Sequence, residues 1–286
     1  MAYVVYFCII LSSAIQSSSV KQYNRKNSGS SPFYFNAFKA LSAFAAFAAA
    51  SFFGFTLHMP TVLYGVFYGL ALCLSMHAGY RALCLGPMAL TSMLVSFSLI
   101  IPLIWSISFG DEVIGLIQLV AIVCLFVSMV VVNIDKIRKS SAGETNYGLW
   151  LTFVALTFIS NGVCSILQKE HQRAFPGQFN KEFMFFSMLV CTVIYLGASI
   201  IKSPKGLGRM EGKGYAVVSG ITNALSGFLT LALAGFENAS VLFPIISAGT
   251  IMASLLCGRF IFKEKLKINH YIAILFGTAA VVLLKL

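Results

Sequence analysis

The chain has 286 residues, of which 58% are hydrophobic and only 10% are charged, and its mean hydropathy is +0.87. Because a soluble domain carries about 25% charged residues, this composition excludes an ordinary water-soluble protein and predicts an integral membrane protein. The net charge of +11 does not indicate a nucleic-acid partner, since the Lys and Arg residues lie in short loops between apolar segments, where such charge orients membrane helices.

Apolar runs bounded by charge, proline or glycine predict ten membrane helices, because a helix that crosses the hydrocarbon needs about 20 mainly apolar residues. In chain order these runs cover residues 2–20, 32–54, 61–80, 84–108, 113–133, 147–168, 180–201, 214–235, 239–261 and 268–285. The first run has no positive segment and no cleavage site, so we interpret it as a retained helix rather than a signal peptide. The predicted class is an all-α integral membrane protein without a soluble domain.

The second half of the sequence repeats the first. Five identities share one constant spacing: Lys21 with Lys169, Arg25 with Arg173, Gly29 with Gly177, Phe35 with Phe183, and Phe38 with Phe186. A slightly larger spacing pairs Glu112 with Glu264. The sequence therefore predicts a five-helix repeat over residues 1–135, a connecting loop over 136–146 and a second five-helix repeat over 147–286. Because five is odd, the second repeat is inverted across the membrane, as in secondary transporters.

Short motifs recur in the two repeats. The first repeat has Lys39 in its second helix, Pro102 in its fourth, the turn Gly110-Asp111-Glu112, and Gly115 just beyond it. The second repeat has Ser187 at the position of Lys39, the turn Phe262-Lys263-Glu264 without the glycine, and Gly277 in its last helix. Over essentially the whole chain this pattern resembles the drug/metabolite transporter superfamily, in its EamA-like branch. The resemblance implies ten helices, a substrate cavity between the two halves near the bilayer midplane, and alternating access.

Polar residues inside membrane helices are candidates for function, because burying them in lipid is costly unless they face the bundle or water. The candidate substrate-binding residues are Gln16 and Ser18 in helix one, His77, Tyr80 and Arg81 in helix three, Asn161 in helix six and Asn223 in helix eight. His77 and Arg81 are four residues apart and so share a helix face, where they could hold an anion or exchange a proton. The alternatives are hydrogen bonds between helices for the amides, the serine and His77, and positions at the membrane interface for Tyr80 and Arg81.

Five further positions leave a structural and a functional interpretation open. Lys39 lies about 10 Å along its helix, where it could line a cavity or extend its stem to the headgroups. Pro102 and Pro244 interrupt two helices and are candidate hinges. Glu112 and Glu264 follow short turns at helix starts, where a carboxylate interacts favourably with the helix dipole.

The sequence contains no catalytic or nucleotide-binding motif, and we expect neither an enzyme nor a cofactor. The seven cysteines form no C-x-x-C pair and lie away from clustered histidines, so neither a disulfide framework nor a metal site is expected. The predicted function is a secondary transporter that exports a small metabolite or amino acid. The alternatives are a membrane assembly subunit that does not transport, and a membrane-embedded lipid-modifying enzyme, for which the nearest candidates, Glu170 and His171, fall in the loop after helix six without partners.

The expected location is the cell membrane, with a bacterial inner membrane as the default, and the expected partners are the lipid bilayer and a small-molecule substrate. Most Lys and Arg residues lie in the loops after the odd-numbered helices, which the positive-inside rule places in the cytoplasm. Both chain ends would then be external, whereas the family resemblance implies cytosolic ends. The sequence leaves both orientations open and favours no oligomeric state.

Overall fold

The computed structural model of the chain is built from α-helices. It describes residues 2–26, 32–51, 54–85, 95, 97–109, 115–117, 119–124, 127, 147–202, 211–260, 271–272, 275–276, 279 and 283. These residues form helices, turns and connecting segments, and none of them lies in a β-strand.

In chain order the helices are α1 (Ala2–Lys26), α2 (Pro32–Ser51), α3 (Met59–Leu85), a 3₁₀ turn (Phe97–Leu99) leading into α4 (Ile100–Phe109), α5 (Tyr147–Ala174), α6 (Asn180–Lys202), α7 (Lys213–Ala234) and α8 (Ala239–Phe260). Within the described part of the chain, six helices are long and apolar enough to cross a membrane, namely α1, α2, α3, α5, α6 and α7. The chain is therefore a helical, multi-pass membrane protein. This confirms apolar helices of spanning length at six of the predicted spans, and α4 and α8 are helices at two more.

Three helices are longer than predicted. Helix α1 continues to Lys26 and α5 continues to Ala174, although both ends are rich in polar residues; α3 likewise reaches Leu85. The end of α1 stays helical because fully buried Tyr23 packs there on Phe35 and Ala216. The sequence prediction counted polar residues and could not include this apolar contact. Most of the predicted helices 113–133 and 268–285, the first part of helix 84–108, and the turns at 110–112 and 262–264 with Gly277 lie outside the described residues.

The chain forms two compact units. Unit 1 consists of Met1–His77 and Leu167–Phe236, and unit 2 of Ala78–Ile166 and Glu237–Leu286. Unit 1 thus contains α1, α2, α6 and α7 with the first part of α3 and the last turns of α5. Each unit takes segments from both halves of the sequence, so the compact units are a different division from the predicted repeats at 1–135 and 147–286, which stay a prediction.

In unit 1, α1 packs on α7, and α2 packs on α6 and α7. Glycines allow two of the closest approaches. A Cβ on Gly220 of α7 would overlap the carbonyl oxygen of Lys39 on α2, and a Cβ on Gly69 of α3 would lie 2.7 Å from the carbonyl oxygen of Ser187 on α6. Small residues at such places let membrane helices approach closely, which is where van der Waals packing favours their association.

The turn between α5 and α6 is fixed by its own residues. Pro176 cannot continue a helix, and Gly177 adopts a φ of +69°, a left-handed conformation that favours glycine. The Gln172 side chain accepts a hydrogen bond from the Gly177 backbone N–H at 3.1 Å and donates one to Asn180. One amide thus ties the end of α5 to the start of α6.

In unit 2, α4 packs on α8. Gly162 of α5 lies against the side chain of Ile101 on α4, and Ala82, Trp150 and Val154 form a buried apolar cluster. Packing between a glycine and a branched side chain again brings two helix axes close together.

Candidate functional site

Two polar contacts join α1 and α7 within their membrane spans. The Gln16 Nε2 group donates a hydrogen bond to Asn223 Oδ1 at 3.1 Å, and the hydroxyls of Ser13 and Ser226 lie 3.3 Å apart. Both amide side chains are half-buried, and the bond between them leaves Gln16 Oε1 and Asn223 Nδ2 without a hydrogen bond to any described residue. The pair can therefore hold the helices together and still bond to a further polar molecule.

The remaining predicted residues are distributed over both units. In unit 1, Ser18 is half-buried on α1, and His77 is half-buried with its ring 4.9 Å from that of Phe33. In unit 2, Tyr80 is buried, Asn161 is half-buried and Arg81 is exposed. The structure thus brings Gln16 and Asn223 together, and the role of the whole set in binding a substrate stays a prediction.

Lys39 is buried in protein in the middle of α2. Its residue is only 7% exposed, so its side chain does not extend over the lipid-facing surface to the headgroups, which was one of the two interpretations. Among the described residues its ammonium has no ion pair and no hydrogen bond, and the group close enough to interact with its charge is the Cys191 thiol of α6. A cation enclosed in this way is costly unless something neutralises it.

Two polar groups near Lys39 also have hydrogen-bonding capacity that is not used. Asn36 precedes Lys39 by about one helical turn and lies beside the Tyr195 hydroxyl of α6, which donates to the Cys73 carbonyl at 2.7 Å. The hydroxyl of Thr192 on α6 is buried without a hydrogen-bond partner among the described residues, and the Asn36 Nδ2 group has at most the Tyr195 oxygen as an acceptor. Since buried polar groups are nearly always hydrogen-bonded, each exception calls for an explanation.

A second polar cluster lies where α2 leads into α3 and α5 leads into α6. The buried Glu182 carboxylate, in the first turn of α6, accepts hydrogen bonds from the backbone N–H and the hydroxyl of Thr56, both at 3.1 Å. A carboxylate at this end of a helix also interacts favourably with the helix dipole. Glu182 therefore fixes the segment before α3 against the start of α6.

His171 continues the same cluster. Its Nε2 atom lies 3.2 Å from the Thr61 hydroxyl, which in turn lies 3.1 Å from His58 Nδ1, and its Nδ1 atom lies 3.1 Å from Gln172 Nε2. Aromatic rings enclose these groups: the His58 ring stacks on Phe179 with centroids 4.5 Å apart. Because its hydrogen-bonding groups are paired with one another, this cluster holds chain segments in place.

This cluster corrects one expectation and supplies residues that sequence reasoning missed. His171 was placed in a loop without partners, but it lies in the last turn of α5, is 0% exposed and has two hydrogen-bonding neighbours. The polar run around it resembled a loop because Thr61, one of its two partners, comes from α3 and is far away in sequence. Glu182 was missed for the same reason; an acidic residue in the first turn of an apolar helix was its only signal.

The described residues include no group of three or more His, Cys, Asp or Glu side chains placed to hold a metal ion. The polar regions of unit 1 differ in how far their hydrogen-bonding groups are paired. The cluster around His171 and Glu182 is internally satisfied, whereas the region around Lys39 and the amide pair of α1 and α7 has hydrogen-bonding capacity left over. The groups around Lys39 and the amide pair are therefore the better candidates for binding a ligand.

Comparison with known proteins shows the fold. Twenty-eight chains of solved structures match this chain. One of them, described only as a crystal structure of a protein, has a TM-score of 0.77 at 16% sequence identity, over 100% of this chain and 98% of that one. No family model matches the chain, and no curated protein matches it. The chain shares the fold of that structure over its whole length.

Proposed function

We propose that the chain is a secondary transporter of the drug/metabolite transporter type, with ten membrane helices in two inverted repeats, that moves a small metabolite or amino acid across the cell membrane by alternating access. Export is the proposed direction. The observation that carries this proposal is that the helix contacts keep the same pattern when the two halves of the sequence are exchanged.

The exchange follows from the repeat. It relates α1 to α5, α2 to α6, α3 to α7 and α4 to α8, so each contact has a counterpart between the exchanged helices. The contacts α2–α6 and α4–α8 are each their own counterpart under this exchange, and both are present. The contact α1–α7 has α5–α3 as its counterpart, where Gln168 donates to the Tyr68 hydroxyl at 3.3 Å. The contact α2–α7 has α6–α3, where Cys191 donates to the Gly69 carbonyl at 3.4 Å.

The same exchange extends to residues. Lys39 and Ser187 have the spacing of the other repeated pairs, and each presents its carbonyl oxygen to a glycine of the exchanged helix: Gly220 of α7 for Lys39, and Gly69 of α3 for Ser187. Unrelated halves would have no reason to share this backbone contact. The agreement supports a pseudo-two-fold axis in the membrane plane, which is the arrangement that allows two alternative openings in secondary transporters.

Polar groups inside the spans add support for transport. The amide pair of Gln16 and Asn223 and the buried Lys39 lie on helices from both repeats, and hydrogen-bonding capacity is left over at each place. In a protein that only supports an assembly, apolar packing at these positions would be sufficient. In a transporter these groups give the solute something to bind within the membrane.

The test is ligand-dependent stability followed by transport. The full chain, purified in neutral detergent, is screened by thermal unfolding against amino acids and metabolites, since a bound ligand raises the melting temperature by mass action. Solutes that stabilise it are then tested for exchange in proteoliposomes, with empty liposomes as background. We expect a stabilising solute that is also exchanged, and weaker binding of that solute in Asn223→Ala.

Thr222→Val is the matched control, because Thr222 is the neighbour of Asn223 and its hydroxyl, as far as the described residues go, bonds to the backbone of its own helix alone. This variant should bind the solute like the wild type. Absence of any stabilising or transported solute would contradict the proposal and favour the assembly subunit, and conversion of a lipid in the proteoliposomes would favour the enzyme.

A further inference from the structure

The buried ammonium of Lys39 lies where α2 and α6 run side by side in opposite directions. Three contacts define this register: Asn36 with Tyr195, Lys39 with Cys191, and Phe44 with Phe185 at a ring-centroid distance of 5.2 Å. Along α6, Thr192 falls between Cys191 and Tyr195, and therefore at the level of Asn36 and Lys39. Three groups that can donate hydrogen bonds thus lie at one level of the membrane span.

All three groups are buried; the Lys39 ammonium and the Thr192 hydroxyl lack an acceptor among the described residues, and Asn36 Nδ2 has at most one, the Tyr195 oxygen. Lys39 is 7% exposed, Asn36 3% and Thr192 6%. An ammonium can donate three hydrogen bonds, an amide nitrogen two and a hydroxyl one. The position equivalent to Lys39 in the other half does not supply the acceptor, because the Ser187 hydroxyl donates to the Phe183 carbonyl of its own helix at 2.6 Å.

A group that completes this place must accept several hydrogen bonds and carry negative charge. Carboxylates and phosphates do both, and hydrogen bonds from charged donors to such groups are about twice as strong as neutral ones. We propose that the region of Lys39, Asn36 and Thr192 binds the anionic group of the transported solute, so that the substrates are small organic anions with a carboxylate or phosphate. This inference rests on the proposed transport function and names its substrate class.

The first experiment measures binding with matched probes. Benzoate, succinate and glycerol 3-phosphate are titrated against the full chain in neutral detergent at constant ionic strength, each beside its uncharged counterpart, benzamide, succinamide or glycerol. We expect at least one anion to raise the melting temperature while its counterpart does not. In Lys39→Gln the apparent affinity for that anion should fall by about tenfold or more, because a hydrogen bond to a charged group is lost, and Lys39→Arg should retain binding.

Lys181→Gln is the matched control, since it removes a positive charge from an exposed residue of α6 and should bind the anion like the wild type. Equal stabilisation by an anion and its neutral counterpart, equal affinities of the wild type and Lys39→Gln, or no stabilisation by any anion would overturn the proposal. Phosphatidylglycerol presents the same chemistry as a lipid headgroup. A higher melting temperature in detergent micelles that contain phosphatidylglycerol than in micelles that contain phosphatidylcholine, without any effect of the soluble anions, would likewise overturn the substrate assignment.

The second experiment needs no ligand. In low-salt buffer without added anion, Lys39→Met should melt at a higher temperature than the wild type, because it removes a buried charge that lacks a partner, and the stabilising anion should reduce this difference. A lower melting temperature for Lys39→Met without anion would mean that the chain itself neutralises Lys39, and would overturn the proposal. Exchange of an uncharged solute without anion binding would leave transport standing and refute this inference, whereas Lys39-dependent anion binding without any exchange would refute transport and leave the site.

Discussion

The glycines at the crossing of α2 with α7 and of α3 with α6 give a test of the packing on which the proposed repeat rests. Gly220→Ala would place a methyl group onto the Lys39 carbonyl oxygen, and Gly69→Ala would place one 2.7 Å from the Ser187 carbonyl oxygen and 2.9 Å from Val190 Cβ. Carbon–oxygen contacts in proteins are about 3.3–3.6 Å. Because the two carbonyl oxygens belong to the backbone of a neighbouring helix and cannot rotate away as a side chain could, the helices must move apart.

Gly214→Ala on α7 isolates this effect, since nothing lies within 4 Å of a Cβ at that position. Replacing glycine by alanine in a helix gains up to about 1 kcal/mol through backbone propensity, and that gain is common to test and control. The overpacking in a close contact costs about 1–3 kcal/mol. The free energy of unfolding of Gly220→Ala should therefore be about 1–3 kcal/mol below that of Gly214→Ala.

The measurement is unfolding of the purified protein in mixed micelles by titration with sodium dodecyl sulfate, followed by the helical circular dichroism signal. Gly69→Ala should behave like Gly220→Ala, because the repeat exchange relates the two contacts. If Gly220→Ala is as stable as Gly214→Ala, the close approach of α2 and α7 is wrong. If only one of the two close-contact variants loses stability, the packing is not shared between the halves.

Three further predictions concern the polar contacts of unit 1. Glu182→Ala should lower the free energy of unfolding by about 1–3 kcal/mol, because its two hydrogen bonds from Thr56 are lost and each contributes about 0.5–1.5 kcal/mol. His171→Leu should cost a similar amount in the same titration, since the buried hydrogen bonds to Thr61 and Gln172 are lost and each contributes about 0.5–1.5 kcal/mol. For Gln16→Leu and Asn223→Leu, a double-mutant cycle should give a coupling energy of about 0.6 kcal/mol, while the single variants weaken binding of the transported solute.

The chain offers a control for the first of these changes. Lys181→Ala alters the exposed residue next to Glu182 and should leave stability within about 0.5 kcal/mol of the wild type. A Glu182→Ala variant as stable as Lys181→Ala would show that the carboxylate does not hold the segment before α3. A coupling energy of zero between positions 16 and 223 would mean that the amides do not bond across α1 and α7.

The membrane helices could be predicted well from the sequence because lipid imposes a simple requirement. A crossing segment needs a continuous apolar run, and this requirement is met segment by segment, so α2, α6 and α7 begin and end within three residues of their predicted bounds. The ends of α1 and α5 were missed because tertiary contacts decide them. Tyr23 is held by residues of α2 and α7, and His171 bonds to α3.

The polar residues show the same division. A polar residue in an apolar run is visible in the sequence, and on that signal Gln16 and Asn223 were both selected. Their contact with each other was not predictable, because it depends on how α1 lies against α7. The sequence allows Lys39 either a cavity position or the membrane interface, since its flexible stem could reach either. The burial of its side chain against α6 excludes the interface.

Lys39 and Ser187 bear on how the proposed two-repeat scaffold would bind an unsymmetrical solute. Their backbones take part in the same contact with a glycine of the exchanged helix, so this part of the packing is common to both halves. Their side chains are not equivalent: the Ser187 hydroxyl is satisfied within its own helix, whereas the Lys39 ammonium is enclosed without an acceptor among the described residues. Alternating access requires two packings of nearly equal energy, and repeated backbone contacts favour that equality. A small organic anion such as benzoate or glycerol 3-phosphate has one charged end, and a single cation is enough to orient it. Symmetry in the helix contacts and asymmetry at one side chain are thus the combination that the proposed transport of an anion needs.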